Sequence, residues 1–121
     1  MKKSVSQSIY HYNAKVVQVY DGDTITVDID LGLKTMIKGE KLRLHRINAP
    51  EVKGHFKSKG FQSRDFLRTI VDQKMIVIET IKDRKEKYGR YLAEVWILFG
   101  KKYINVNDLM VEKGFAVFKT Y

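Results

Sequence analysis

Val19-Tyr20-Asp21-Gly22-Asp23-Thr24-Ile25-Thr26-Val27-Asp28-Ile29-Asp30-Leu31 is the most regular stretch of this 121-residue chain. After the tight-turn pair Asp21-Gly22, apolar Ile25, Val27, Ile29 and Leu31 alternate with polar Thr24, Thr26, Asp28 and Asp30. A period of two is that of a strand with one buried and one solvated face. Upstream, Tyr12–Val19 is rich in β-branched and aromatic residues, so the turn joins two strands.

Working outward, Gly32 and Gly39 read as turns around a strand near Lys34–Ile37. Leu42 and Leu44 then alternate with Arg43 and His45 in a further strand. Lys53–Lys59 has no period and reads as a loop. Gly60–Asp72 is helical, because Phe66, Leu67, Ile70 and Val71 fall on one stripe with Arg64 and Arg68 outside it. Met75–Thr80 is a strand, Ile81–Tyr88 a charged loop with Gly89 at a left-handed position, and Tyr91–Phe99 a strand ending in a hairpin turn at Gly100. Asn107 is expected to cap a short helix over Asp108–Lys113, with Gly114 stopping it and Phe115–Tyr121 extended beyond. Three strands, a helix, two strands and a short helix suit a mainly β fold with helices, a five-stranded OB-fold (Greek-key) barrel. Residues 9–121 are expected to form one domain behind a loose tail, residues 1–8.

Hydrophobic residues make up 44% of the chain and charged residues 31%, an ordinary globular balance. No apolar run approaches the roughly 18 residues of a helical membrane span. There is no cysteine, which excludes disulfides, thiolate metal sites and a cysteine nucleophile. Lys and Arg outnumber Asp and Glu by 23 to 14, a net charge of +9. Such an excess points to polyanions, nucleic acid first and an anionic membrane surface second. The polar stretch after Lys2-Lys3 does not read as a signal peptide, so a cytoplasmic location is expected, with secretion left open.

Three clusters carry candidate chemistry. Asp21-Gly22-Asp23-Thr24 places an acidic pair at a strand entrance, where oxygen ligands can hold a hard cation; alone, it is more often an ordinary turn. Arg43-Leu44-His45-Arg46-Ile47-Asn48-Ala49-Pro50-Glu51 runs from a strand into a stiffened exit, where Pro50 holds Ala49 extended. That exit can present the Asn48 oxygen, the Ala49 carbonyl and Glu51 on a rigid rim; the ordinary reading is a strand end with a solvated glutamate. Lys87-Tyr88-Gly89-Arg90 suits a phosphate with a neighbouring base, against the ordinary reading of a solvated basic loop. His11, His45 and His55 are too widely spaced for a metal cluster and default to the surface.

Each cluster is weak alone, but their order is specific. With Val19-Tyr20-Asp21-Gly22-Asp23-Thr24, Arg43-Leu44, Ile47-Asn48-Ala49-Pro50-Glu51, Lys87-Tyr88-Gly89-Arg90-Tyr91-Leu92-Ala93, Val106-Asn107, Leu109 and Gly114-Phe115-Ala116, the chain resembles the staphylococcal nuclease (thermonuclease-like) family from about Tyr12 to Ala116. The resemblance implies an OB-fold barrel and a calcium-dependent phosphodiesterase, an endonuclease acting on DNA and possibly RNA to leave 3′-phosphate and 5′-hydroxyl ends. By position it implies that Asp23, Asn48 and the Ala49 carbonyl hold the metal, Arg43 and Arg90 stabilise the phosphorane, Glu51 activates water, and Lys87 and Tyr88 contact a nucleotide phosphate. Elementary chemistry agrees: attack on a phosphodiester needs a base, and guanidinium forks suit the developing negative charge.

Two departures bear on this. Asn48 stands where the family usually has a second metal-binding aspartate; it keeps an oxygen but loses a charge, so cation affinity is expected to weaken or its preference to change. The parent member continues past the residue matching Tyr121, leaving a barrel edge expected to be exposed or covered by a partner. The Leu31–Lys41 connection also reads as longer than in that member. The competing reading is a non-catalytic nucleic-acid-binding OB module weakened at the metal site by Asn48. Retention of Asp23, Arg43 and Arg90 with a glutamate leaning into the site, Glu51, argues for the enzyme. A protein partner or a homo-oligomer has no specific signal.

Overall fold

The structure, a computed structural model, describes residues 9–119. The expected tail over residues 1–8 and the last two residues of the expected extended end lie outside the described residues. Strands β1 (His11–Asp21), β2 (Thr24–Gly32) and β3 (Thr35–Leu44) form an antiparallel meander. A two-residue strand β4 (Ile47–Asn48) and a 3-10 turn (Gly54–Phe56) lead into helix α1 (Lys57–Val71). Strands β5 (Met75–Lys85), β6 (Tyr91–Phe99) and β7 (Lys102–Asn105) follow, then helix α2 (Val106–Glu112) and a short β8 (Val117–Phe118).

The sheet order is β3-β2-β1-β5-β6-β7. A parallel pairing of β3 with β6, from Leu42↔Tyr91 to Leu44↔Ala93, closes β1, β2, β3, β5 and β6 into a five-stranded barrel. β7 hangs on β6, and β8 pairs with β4. The expected OB-type barrel is therefore the fold. Closure removes the sheet edges that a five-stranded meander would otherwise expose.

Inward-facing residues fill the barrel: Val16 and Val19 of β1, Ile25 and Val27 of β2, Leu42 and Leu44 of β3, Ile78 of β5 and Val95 of β6 are fully buried. α1 lies against β1 and buries Gly60, Ser63, Leu67 and Val71, one stripe at spacings of three and four. Each of the large side chains contributes about 1.5–3 kcal/mol by leaving water.

The structure corrects several local expectations. Gly39 does not divide two strands. Its φ of 69° bends one continuous β3, and its N–H donates to Asp28 Oδ1 at 2.9 Å beside a register shift in the pairing with β2. Leu31 is 43% exposed, because the β2–β3 hairpin runs past the last core residue of β2, Ile29. α1 begins at Lys57 rather than Gly60; its first turn is solvated and so carried no apolar period. β5 continues through the charged stretch to Lys85 across a bulge at which Lys82 and Asp83 are left-handed. His11 is buried, 7% exposed, stacked on Trp96 and 3.8 Å from Glu79, partners that arrive from distant strands.

Helix α2 is capped by Asn105, whose side chain accepts from the Asp108 N–H at 2.9 Å, and not by Asn107. Asn107 is fully buried instead. Its amide donates to the carbonyls of His45 (2.9 Å) and Ala93 (3.1 Å) and accepts from the Val95 N–H (3.1 Å). One side chain thus ties α2, β6 and the turn after β3 together where the barrel closes.

Candidate functional site

At the β3–β6 seam lies an open cleft of about 400 Å³. Asp23, Arg43, Asn48, Ala49, Glu51, Lys87, Tyr88 and Arg90 all line it, so the residues to which the resemblance gives a role in metal, phosphate or water handling share one cleft. They come from the β1–β2 turn, β3, β4 and its exit, and the β5–β6 connection.

Arg43 is set by its strand. It pairs with Thr24 across β2–β3, and its guanidinium donates to the Leu44 carbonyl at 2.8 Å. Its Nη2 lies 2.5 Å from Asn48 Oδ1 and 3.3 Å from Asp23 Oδ2. Arg43 therefore bridges two of the oxygens that the resemblance gives to a metal.

Asp23 is buried and accepts from the Ala49 N–H at 2.8 Å and the Thr24 hydroxyl at 3.2 Å. Asp21 is buried beside it and accepts from the Asp23 N–H at 3.0 Å. Burial first, and the Asp23 charge second, push the Asp21 carboxyl up to about 7. The acidic pair was legible in the sequence, but not that one of its members is held near neutrality.

Arg90 is held differently. Glu86 receives Arg90 Nε and Nη2 through its two oxygens, each at 3.0 Å, and one of those oxygens also accepts from the backbone N–H groups of Tyr88 and Arg90. The Arg90 fork draws Glu86 down to about 2, and Glu86 in turn raises Arg90 above its ordinary value. The remaining nitrogen, Nη1, donates to Thr24 Oγ1 at 3.1 Å. Lys87 Nζ and the Arg90 guanidinium stand 5.0 and 5.5 Å from the exposed Tyr88 ring.

Glu51 is exposed at the rim rather than leaning inward. Its backbone is nonetheless fixed by a close approach: a Cβ on Gly60 of α1 would stand 2.0 Å from the Glu51 carbonyl oxygen. A Cβ on Gly22 would stand 2.7 Å from the Cβ atoms of both Ala49 and Ser63. Gly22 and Gly60 thus let the β1–β2 turn, the β4 exit and α1 nest together. Sequence reasoning missed the roles of Gly22, Thr24, Gly60 and Asn107, which lie in contacts with other segments, and it missed Glu86, whose charge four residues before Arg90 was the local signal that could have found it.

Among the described residues, no group of three or more His, Asp or Glu side chains gathers as a metal set. The available oxygens are the Asp21 and Asp23 carboxylates, the Asn48 amide and the Ala49 carbonyl. Two buried carboxyl groups side by side, with the Asn48 and Ala49 oxygens lining the same cleft, are a donor set that fits a hard cation, at a modest ligand charge.

A small closed β barrel with buried carboxylates, two guanidinium groups and a basic rim in one cleft belongs to the class of OB-type domains suited to polyanions. The model of the staphylococcal nuclease homologue family matches residues 41–121, and the chain belongs to that family. It is 34% identical to a thermonuclease of Staphylococcus hyicus over 88% of this chain, and 34% identical to an uncharacterized endonuclease of Escherichia coli over 90% of it. It is 29% identical to an uncharacterized protein of Methanocaldococcus jannaschii over 88%. The chain spans 58–63% of the lengths of these curated relatives.

Proposed function

We propose that the protein is a nuclease that hydrolyses phosphodiester bonds of DNA and possibly RNA. The observation that carries this is the convergence of Arg43 and Arg90 on one cleft that also holds the Asp21–Asp23 pair and, at its rim, Glu51. A phosphate placed there meets two guanidinium groups, and an attacking water lies within reach of a carboxylate base. Glu51 takes the proton as the water oxygen bonds to phosphorus. The bond to the leaving oxygen breaks, and that oxygen takes a proton from solvent. Arg43 and Arg90 donate to the charge that builds on the phosphoryl oxygens, while Lys87 and Tyr88 hold a neighbouring phosphate.

Calcium is the proposed cofactor, held by Asp23, Asn48 and the Ala49 carbonyl with Asp21 beside them. Such an ion supplies positive charge to draw in the phosphate and polarise it. The single charge lost at Asn48 makes this a weak site, and Arg43 competes for the same oxygens.

The test is cleavage of a labelled single-stranded DNA with calcium titrated against an EDTA control, in wild type and Glu51→Gln. Metal-stimulated cleavage that falls by ~10²–10⁴-fold in Glu51→Gln, with binding retained, is expected. Undiminished cleavage in the variant removes Glu51 from the mechanism.

A second reading has one observation in its favour. Both arginines are already satisfied by protein oxygens, Arg90 by Glu86 and Arg43 by Asp23 and Asn48. A non-catalytic OB module gives salt-sensitive binding of the same strand and no turnover at any calcium concentration.

A further inference from the structure

A second groove, of about 620 Å³, opens beside the cleft and shares Asp21, Glu51, Tyr88 and Arg90 with it. Its far wall is the outer face of β1, β2 and β3, whose residues take no part in the chemistry proposed above. Gln18, Thr26 and Lys41 form a cross-strand row, paired Gln18↔Thr26 and Thr26↔Lys41. Between that row and the cleft stands Tyr20, 52% exposed. The pairing of β1 with β2 steps from Val19↔Ile25 to Asp21↔Thr24, so Tyr20 is the extra residue of a bulge. A bulge at this point re-aims a side chain, and here it turns a large aromatic ring out beside the buried Asp21. Lys53 faces the groove from the opposite wall. Among the described residues, neither Lys41 nor Lys53 has an ion-pair partner.

An aromatic face flanked by two unneutralised cations, continuous with a phosphate cleft, matches the alternation of a polynucleotide strand: phosphate, base, phosphate. We infer that the bound strand continues past the reacting phosphate onto the outer face of β1–β3, with one base stacked on Tyr20 and the next phosphates neutralised by Lys41 and Lys53. The ligand is single-stranded polynucleotide, because a base must be free of its own stack to lie on the ring. This rests on the nuclease reading for the position of the reacting phosphate. The groove makes the protein a reader of strand length. A dinucleotide fills only the cleft, whereas a longer strand fills both grooves.

The experiment is fluorescence anisotropy of labelled oligothymidylates, a dinucleotide, a tetranucleotide and an octanucleotide, in EDTA, followed by cleavage of the octanucleotide in calcium. Wild type is expected to bind more tightly as length grows. Tyr20→Ala should weaken octanucleotide binding on the order of 10-fold and leave the dinucleotide unchanged, with Tyr20→Phe restoring the length dependence. Lys41→Gln and Lys53→Gln should each reduce the slope of log affinity against log salt by about 0.7 for the octanucleotide alone. All three residues are exposed, so an unchanged thermal midpoint shows that the fold is intact. Tyr20→Ala and both lysine variants binding every length as wild type does overturns the inference. Cleavage of the octanucleotide with kinetics indifferent to Tyr20→Ala overturns it too and leaves the nuclease reading standing. Length-dependent binding sensitive to Tyr20, without cleavage at any calcium concentration, keeps the groove and overturns the nuclease reading. Absence of binding at every length overturns the inference, and cleavage of the octanucleotide in calcium then decides the nuclease reading by itself.

Discussion

Arg43 and Arg90 face the same cleft, but the molecule holds them in opposite ways. Arg43 rests on oxygens of Asp23 and Asn48, the donors proposed for the cation. Arg90 is clamped by a dedicated carboxylate, Glu86, on its own five-residue turn, with its remaining nitrogen on Thr24, and the Asp23 and Asp21 charges act on it only at longer range. The two guanidinium groups are thus not duplicates. One is in competition with whatever cation enters the acidic pair, and the other is preorganised whether or not a cation is present. A positive charge near a phosphate is common; what distinguishes the two is which anion holds each in place and what else that anion serves.

The harshest way to break the comparison is to flatten both forks. Arg43→Lys and Arg90→Lys are each expected to lower kcat on the order of 10²–10³-fold, because a lysine point charge does not replace two parallel donors. Their calcium dependence should diverge: Arg43→Lys shifts the calcium concentration for half-maximal rate, and Arg90→Lys does not. Steady-state cleavage over a calcium series checks this, and identical shifts in the two variants erase the distinction.

Gly60→Ala strikes only the Arg43 side. The added Cβ would lie 2.0 Å from the Glu51 carbonyl oxygen, so the rim carrying Glu51, and Ala49 two residues earlier, must move. A loss of about 1–3 kcal/mol is expected from urea unfolding. Fluorescence of the Tyr88 turn, read through a Tyr88→Trp reporter, should remain that of the reporter protein with glycine at residue 60.

Asn48→Asp sharpens the contrast from the other direction. A restored carboxylate raises the ligand charge and should tighten calcium roughly 10-fold by isothermal titration. Glu86→Gln, by contrast, should leave calcium binding unchanged while loosening the Arg90 fork.

The smallest effect is in pH, and its sign differs between the two sides. The Asp21 carboxyl is raised from 3.8 to about 7, so between those values the native state keeps a proton that the unfolded chain has released. Stability contributed there is present at low pH and is lost as pH rises through about 7. Glu86 is lowered from 4.5 to about 2, so its contribution is present above 4.5 and is lost as pH falls through about 2. Urea midpoints measured across both windows should flatten on the neutral side in Asp21→Asn and on the acid side in Glu86→Gln. Calcium should also flatten the neutral window, since it favours the ionised pair.

The order of elements and the membership of the cleft were legible in the chain. The alternation of Ile25, Val27 and Ile29, the helical stripe through Leu67 and Val71, and the turn glycines are local patterns, and each maps onto one element. The candidate site was legible for a related reason. Asp23, Arg43, Asn48, Glu51, Lys87, Tyr88 and Arg90 all sit at strand ends or turns, where a barrel gathers its loops. The misreadings share a cause too. Asn105 and Asn107 stand two positions apart at a helix start, and the sequence reading puts the cap at Asn107, where the structure has it at Asn105. Which of them caps depends on whether the barrel seam, built from His45, Ala93 and Val95, comes to meet Asn107. His11 reads as a surface residue until Trp96 and Glu79 close over it.

What the sequence determined by itself was therefore everything that repeats with a short period or sits next to itself in the chain: strand and helix faces, turns, net charge and the acid–base inventory. What only the tertiary structure decided was which charges meet. Apart from the Glu86 clamp on Arg90, a contact four residues apart, these meetings are long-range: the burial of Asp21, the reach of Arg90 to Thr24, the contact of Arg43 with Asp23 and the nesting of Gly22 against Ala49 and Ser63 all depend on distances between segments far apart in the chain. Electrostatic and steric energies fall off over a few ångströms, so no pattern in the one-dimensional order carries them; they exist once the barrel has closed.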